Sequence, residues 1–152
     1  MNHLFLKLPL LKEKLDEFIN DQSVAGSWSL NAIQTTYAWV REGLKSRCIT
    51  RDLKGGVPVP LENFEDKFFY VWFDAPIGYI SITSCYTPDW EKWWKNRENV
   101  ELYQFMGKDN VPFHTVMFPC TLLGTGENWT LMKSISVTEY MMHKTRIWIY
   151  YS

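Results

Sequence analysis

Phe68-Phe69-Tyr70-Val71-Trp72-Phe73, followed at once by Asp74-Ala75-Pro76-Ile77-Gly78-Tyr79, decides how the rest of the chain is read. Six consecutive apolar residues predict a strand buried on both faces, the pattern of a parallel sheet covered on each side. Helical material is then expected over 76–86. Thr87-Pro88-Asp89-Trp90 opens another helix, with Thr87 as cap, Pro88 in the first turn and Asp89 favoured by the helix dipole. Two further strands are expected at 102–106 and 134–138, with a helix over 110–123, bent at Pro119, between them. Strand, helices, strand, helix, strand requires crossover connections. The fold class is therefore α/β: a parallel sheet with flanking helices, one Rossmann-type half.

Upstream, Leu11, Leu15, Phe18 and Ile19 fall on one face of a helix that opens at Pro9 and runs to about residue 20. Leu30, Ile33, Tyr37, Val40 and Leu44 mark a second helix over 29–43, capped by Ser29 and ended by Gly43. Cys48-Ile49-Thr50 reads as a short strand. Lys54-Gly55-Gly56-Val57-Pro58-Val59-Pro60 punctuates the chain before the apolar run.

Composition bounds the function. The chain has 152 residues, 46% hydrophobic and 22% charged, enough for one packed domain or a large part of one. A net charge of −1 argues against a dedicated nucleic-acid-binding surface. No apolar run reaches the length of about 18 residues that spans a bilayer, and no secretory leader opens the chain, so a soluble cytoplasmic protein is expected. Cys48, Cys85 and Cys120 are odd in number and widely spaced, which predicts buried free thiols rather than a disulfide framework or a zinc site.

In open parallel sheets, ligands bind beyond the carboxyl ends of the strands. Three segments are expected there: Phe73-Asp74-Ala75-Pro76, Gly107-Lys108-Asp109-Asn110 and Thr138-Glu139-Tyr140. Asp109 reads either as the cap of a helix beginning at Asn110 or as a carboxylate that accepts from a ribose, and both can hold. Gly107 reads as an ordinary turn glycine or as a place of close backbone approach to a ligand. Trp72 and Tyr79 read as core aromatics or as pocket walls, with a Tyr79 hydroxyl able to donate weakly to a thioether sulfur. His114 has no second His or Cys nearby, so a hydrogen-bonded structural role outweighs metal binding.

The segments 70–79 and 103–114 resemble those of the methionyl-tRNA synthetases. So do Cys48-Ile49-Thr50-Arg51-Asp52-Leu53-Lys54, Trp90-Glu91-Lys92-Trp93-Trp94-Lys95-Asn96 and Val137-Thr138-Glu139-Tyr140, in the form of the eukaryotic cytosolic branch. The resemblance covers almost all of residues 3–140. It implies a class I synthetase catalytic domain, with 1–60 a helical and connecting segment, 61–140 the second Rossmann half and 141–152 a divergent tail. It implies a methionine pocket formed by Trp72, Ala75, Pro76, Tyr79, Asn110 and His114. It implies that Gly107, Asp109, Val137 and Thr138 contact the adenosine part of ATP and of methionyl-adenylate.

The family joins methionine to tRNA at the expense of ATP, with magnesium as an expected companion. Other synthetase-complex proteins are further expected partners, and no membrane is. Two signature motifs of the family, the His-Ile-Gly-His type and the Lys-x-Ser-Lys-Ser type, are not found, nor are the zinc-bearing insertion and the anticodon-binding helices. The expectation is a methionine–tRNA ligase by family whose chain is inactive alone. The alternative is a non-catalytic methionine-binding or interaction fragment. The tail Ile147-Trp148-Ile149-Tyr150-Tyr151 is apolar and β-prone, an aggregation risk.

Overall fold

A computed structural model describes residues 2–53 and 55–139, so Tyr140 and the 141–152 tail lie outside the described residues. A 3-10 turn at Leu8–Leu11 leads into helix α1, Lys12–Ala25. Pro9 sits in that first turn, where a missing N–H costs nothing. Leu15, Phe18 and Ile19 are buried as expected, and Ser23 continues the same stripe, which carries α1 past residue 20.

Helix α1 ends against the sheet. A Cβ on Gly26 would sit 1.6 Å from the Lys133 carbonyl oxygen, so only glycine allows this approach. The Trp28 indole N–H donates to the same carbonyl at 2.9 Å. Helix α2, Leu30–Arg41, follows from Ser29 as its cap residue, and Gly43 takes φ +86° just beyond its end.

Two small antiparallel pairs come next. Strand β1, Phe5–Leu6, pairs with β2, Arg47–Cys48. Strand β3, Thr50–Arg51, pairs with β4, Phe68–Phe69. Here the structure departs from the sequence reading. The apolar run is a strand for only two residues, it is antiparallel, and it stands outside the parallel sheet. Tyr70 remains extended and donates its N–H to the Ile49 carbonyl at 2.9 Å. Helix α3 then spans Val71–Tyr86, beginning five residues before Pro76. A short apolar run cannot distinguish a buried strand from a helix that is apolar on several faces, and α3 is the latter. Helix α4, Glu91–Trp94, is shorter than expected: Thr87 accepts from the Asp89 N–H in a turn that precedes it.

The parallel sheet consists of β5, Leu102–Gly107, and β6, Met132–Thr138. Their connection is a long, mostly helical crossover, with residues 125–131 returning to the sheet as turn and extended chain. It comprises a 3-10 turn at Lys108–Asn110, a π-helical turn at Phe113–Met117 and helix α5, Phe118–Gly124. The irregularity therefore lies at Phe113–Met117 rather than at Pro119. Pro119 has no N–H for the Thr115 carbonyl, and the chain widens to the π pattern immediately before it.

Helices α1 and α2 pack on β6, and α1 also packs on α5. Between them Leu15, Ile19, Val111, Val116 and Ile135 are almost wholly excluded from solvent. The Thr36 and Thr115 hydroxyls, both buried, stand 2.8 Å apart and tie α2 to the crossover. The three cysteines are free, but only Cys120 is buried; Cys85 is exposed and Cys48 half-buried. Burial pushes the Cys120 thiol up to about 12. Among the described residues no helix is long and apolar enough to cross a membrane.

Candidate functional site

Helix α3 and the turn that follows β5 face each other across a cavity of about 340 Å³. Trp72, Ala75, Pro76 and Tyr79 line it from α3, at spacings of three and four that place them on one face. Asn110, Phe113 and His114 line it from the crossover, again one helical face. All six residues expected to form an amino-acid side-chain pocket thus meet in one place. Val71 and Phe113 belong to the same wall and were not anticipated. Phe113 lies three residues after Asn110, on a face that the expected helix over 110–123 already presents.

The walls are aromatic and the floor is polar. Trp72 stacks on Phe113 with ring centroids 6.3 Å apart and planes at 27°. Tyr79 sits edge-on to Phe118 at 6.3 Å. At the polar end, His114 Nδ1 lies 2.8 Å from the Asn110 carbonyl oxygen, and Nε2 lies 2.9 Å from the Tyr79 hydroxyl. A carbonyl only accepts, so Nδ1 carries the proton and Nε2 accepts from Tyr79. The hydroxyl proton is committed to His114, which leaves the Tyr79 oxygen as an acceptor toward the cavity. A thioether donor bond from Tyr79, expected from sequence, competes with this contact.

Burial pushes the His114 pKa below its ordinary value, partly offset by the Asn110 carbonyl. The neutral imidazole is therefore the resting form at pH 7. Pro76, buried within α3, cannot donate to the Trp72 carbonyl four residues back. Trp72 and Phe113 also border a second apolar cavity of about 360 Å³, reached from Trp39, Tyr70 and Met117. The aromatic pair is the partition between the two.

The second group of expected residues lies at the carboxyl end of the sheet. The parallel register aligns Met106 with Val137 and Gly107 with Thr138. A Cβ on Gly107 would meet nothing within 4 Å, so the backbone there is open to approach. Asp109 lies within the 3-10 turn rather than before a helix, with Gly107 in the cap position, so the simple cap reading of Asp109 does not hold. Lys108 pairs with Glu139 at 3.2 Å, and Glu139 accepts from the Asn31 amide at 2.8 Å. Asn31 then Lys108 hold the Glu139 carboxyl below its usual range. Among the described residues, no three His, Cys, Asp or Glu gather as a metal site.

The model of the family described as "tRNA synthetases class I (M)" matches residues 1–146. The chain belongs to this family. Among its relatives, the cytoplasmic methionine–tRNA ligase of Arabidopsis thaliana is 75% identical over 143 residues, which is 94% of this chain and 18% of that protein. The cytoplasmic methionine–tRNA ligase of Homo sapiens is 58% identical over 142 residues, 93% of this chain and 16% of that protein. This class I (M) synthetase chain therefore spans about a sixth of the length of such relatives. Its fold matches methionyl-tRNA synthetase of Mycobacterium tuberculosis bound by methionyl-adenylate, with TM-score 0.71 and 23% identity, over 89% of this chain and 26% of that one. That agreement bears out the α/β, Rossmann-type reading, with the parallel sheet narrower than expected among the described residues.

Proposed function

We propose that this chain forms the methionine wall and part of the adenosine wall of a cytoplasmic methionine–tRNA ligase, an enzyme that activates methionine with ATP and transfers it to tRNA. The observation that carries this reading is the aromatic cleft closed at one end by the Tyr79–His114–Asn110 hydrogen bonds. Such a cleft suits an unbranched apolar side chain with one polarizable atom. Trp72, Phe113, Ala75 and Pro76 supply the shape, which discriminates by about 1–3 kcal/mol per methylene. Tyr79 and His114 supply a fixed polar end without a charge to pair a charged side chain, since the imidazole is neutral.

ATP fits the other group of residues. Gly107 leaves its backbone open, Asp109 offers a carboxylate to a ribose, and Val137 and Thr138 border the base. ATP supplies the adenylyl group that activates methionine: the carboxylate oxygen would bond to the α-phosphorus as the bond to pyrophosphate breaks, and the residues named here bind and orient. Magnesium accompanies ATP in the family, but no acidic cluster gathers to hold it among the described residues, and no step is routed through it. Stabilisation of the phosphoryl charge is assigned to groups other than these walls. The chain is proposed to bind its ligands without appreciable turnover, with tRNA and other synthetase-complex proteins as the further partners proposed.

Calorimetric titration with methionine tests this reading. Binding is expected, with Trp72→Ala weakening it at least about tenfold through loss of the stacked wall. Binding unaffected by Trp72→Ala, or no binding by the folded chain, contradicts it. Methionine-dependent pyrophosphate–ATP exchange should be absent or very slow, and robust exchange overturns the assignment of inactivity.

A further inference from the structure

His114 is gripped through its neighbours. Phe113 and Thr115, on either side of it in sequence, both meet helix α2. Trp39 of α2 stands edge-on to Phe113 with ring centroids 6.4 Å apart, and the Thr36 hydroxyl lies 2.8 Å from that of Thr115. Thr36 and Trp39 are three residues apart and share one face of α2. Neither threonine has any exposure. Two successive carbonyls are met by side chains four residues on, just where the ladder widens to the π register. His114 Nδ1 lies 2.8 Å from the Asn110 oxygen, and the Thr115 hydroxyl donates to the Val111 oxygen at 2.9 Å. The Thr36 hydroxyl has one proton and two acceptors in reach, Thr115 Oγ1 and the Ala32 carbonyl oxygen at 2.7 Å. With the Thr115 proton on Val111, the Thr36 proton must fill the contact between the hydroxyls, because two oxygens at 2.8 Å with no proton between them repel. A directed chain results, from Thr36 to Thr115 to the Val111 carbonyl. It is buried, so each link is stronger than the same bond in water.

We propose that Thr115, anchored by Thr36, is a positioning residue of the methionine pocket: the hydroxyl chain fixes the peptide units at Asn110 and Val111, so that the Asn110 carbonyl holds His114 as the Nδ1–H tautomer and Nε2 keeps the Tyr79 proton. The Asn110 and Val111 carbonyls belong to adjacent planar peptide units joined at one Cα, and the Val111 side chain is fully buried, so a tilt of one unit is passed to the other. Thr115 faces α2 and does not line the cleft. Its effect reaches a ligand only through His114 and Tyr79. The tautomer of an imidazole is set by the bond that its other nitrogen makes, and here that bond depends on where the Asn110 carbonyl points. A polar end supported by a packed layer behind it keeps its geometry, and without that support it loosens. The effect on methionine rests on the reading given under the proposed function; the effect on the tautomer stands on the hydrogen bonds alone.

Nitrogen-15 shifts of the His114 ring in the 152-residue chain, at about pH 8 where the imidazole is neutral, test the tautomer. His114→Phe assigns the signals by their loss. A single Nδ1–H form is expected in the original chain. Thr115→Val, which keeps the shape and removes the hydroxyl, should give a mixture of tautomers and weaken methionine about five- to tenfold in calorimetry. Thr115→Ser should restore both. Thr36→Val should shift the tautomer the same way by a smaller amount, and it reads the same link if Thr115→Val does not fold. Leu15→Ala lowers stability more than these variants without touching the hydroxyl chain, so it should keep the Nδ1–H form and a methionine affinity within ~twofold of the original. An unchanged tautomer in both valine variants, no rescue by serine, or an equal shift in Leu15→Ala each overturns the proposal. If the original chain binds no methionine while the tautomers change as expected, the methionine reading falls and the positioning of His114 by Thr115 stands.

Discussion

The inner and outer faces of the β5–β6 sheet are made from adjacent residues and behave as different materials. On the inner side, Ile135 and Met132 are buried beneath α1, α2 and the crossover. On the outer side, Tyr103 and Phe105 stand beside Ser134 and Ser136, and nothing among the described residues covers them as fully. The same contrast separates α1 from α3. Helix α1 buries one clean stripe, whereas α3 leaves Val71, Ile82 and Tyr86 at the surface and turns Trp72 and Tyr79 toward a cleft. Burial is concentrated in one half of the molecule and the open aromatic cleft lies in the other. Binding surfaces are drawn from the less buried, less constrained part of a fold.

Substitutions can break that contrast in order of effect. Leu15→Ala, at a site with no exposure, should cost about 3–4 kcal/mol, because the interior cannot collapse fully around the lost methyls. Gly26→Ala should cost about 3 kcal/mol, since its Cβ would meet the Lys133 carbonyl and part α1 from β6. Thr115→Val should cost about 1 kcal/mol, leaving the Thr36 hydroxyl with only its own helix carbonyl. Denaturant midpoints at constant slope read all three. On the outer side, Phe105→Ser should move stability by no more than about 0.5 kcal/mol. A large loss there would show that the outer face carries packing after all.

A pH series sharpens the comparison further. His114 has a folded-state pKa below its ordinary 6.5, so the unfolded chain binds its proton more readily. The contribution of neutral His114 is fully present above pH 6.5 and is lost as pH falls from there through the folded value. His114→Phe should flatten that part of the stability profile. An unchanged slope would place the pH dependence elsewhere.

How much of this could be read from residues alone follows the same division. The stripe of α1 and the period of α2 were legible because each has one buried face, whereas the strand at 102–106, which buries Gln104 and exposes Tyr103 and Phe105, was legible only as a β-prone run between helical segments. The 68–73 run was not, because six apolar residues suit a strand and a helix alike, and only the Tyr70 bond to Ile49 shows where the chain turns. Phe113 shares the face of Asn110 and His114 that the expected 110–123 helix presents, so its place in the wall is legible from the same spacing. The direction of the Tyr79 hydroxyl was hidden for a different reason: it depends on the Asn110 carbonyl, which no side-chain pattern records.

The most direct test is to follow backbone amide shifts as methionine is added to the chain. Shifts concentrated in Val71–Tyr86 near Trp72 and Tyr79 and around Asn110 and His114, with Lys12–Ala25 unmoved, are the predicted result. Shifts centred instead on the charged cavity of Lys14, Glu17 and Arg97 beside α1, with the aromatic cleft silent, would contradict the account.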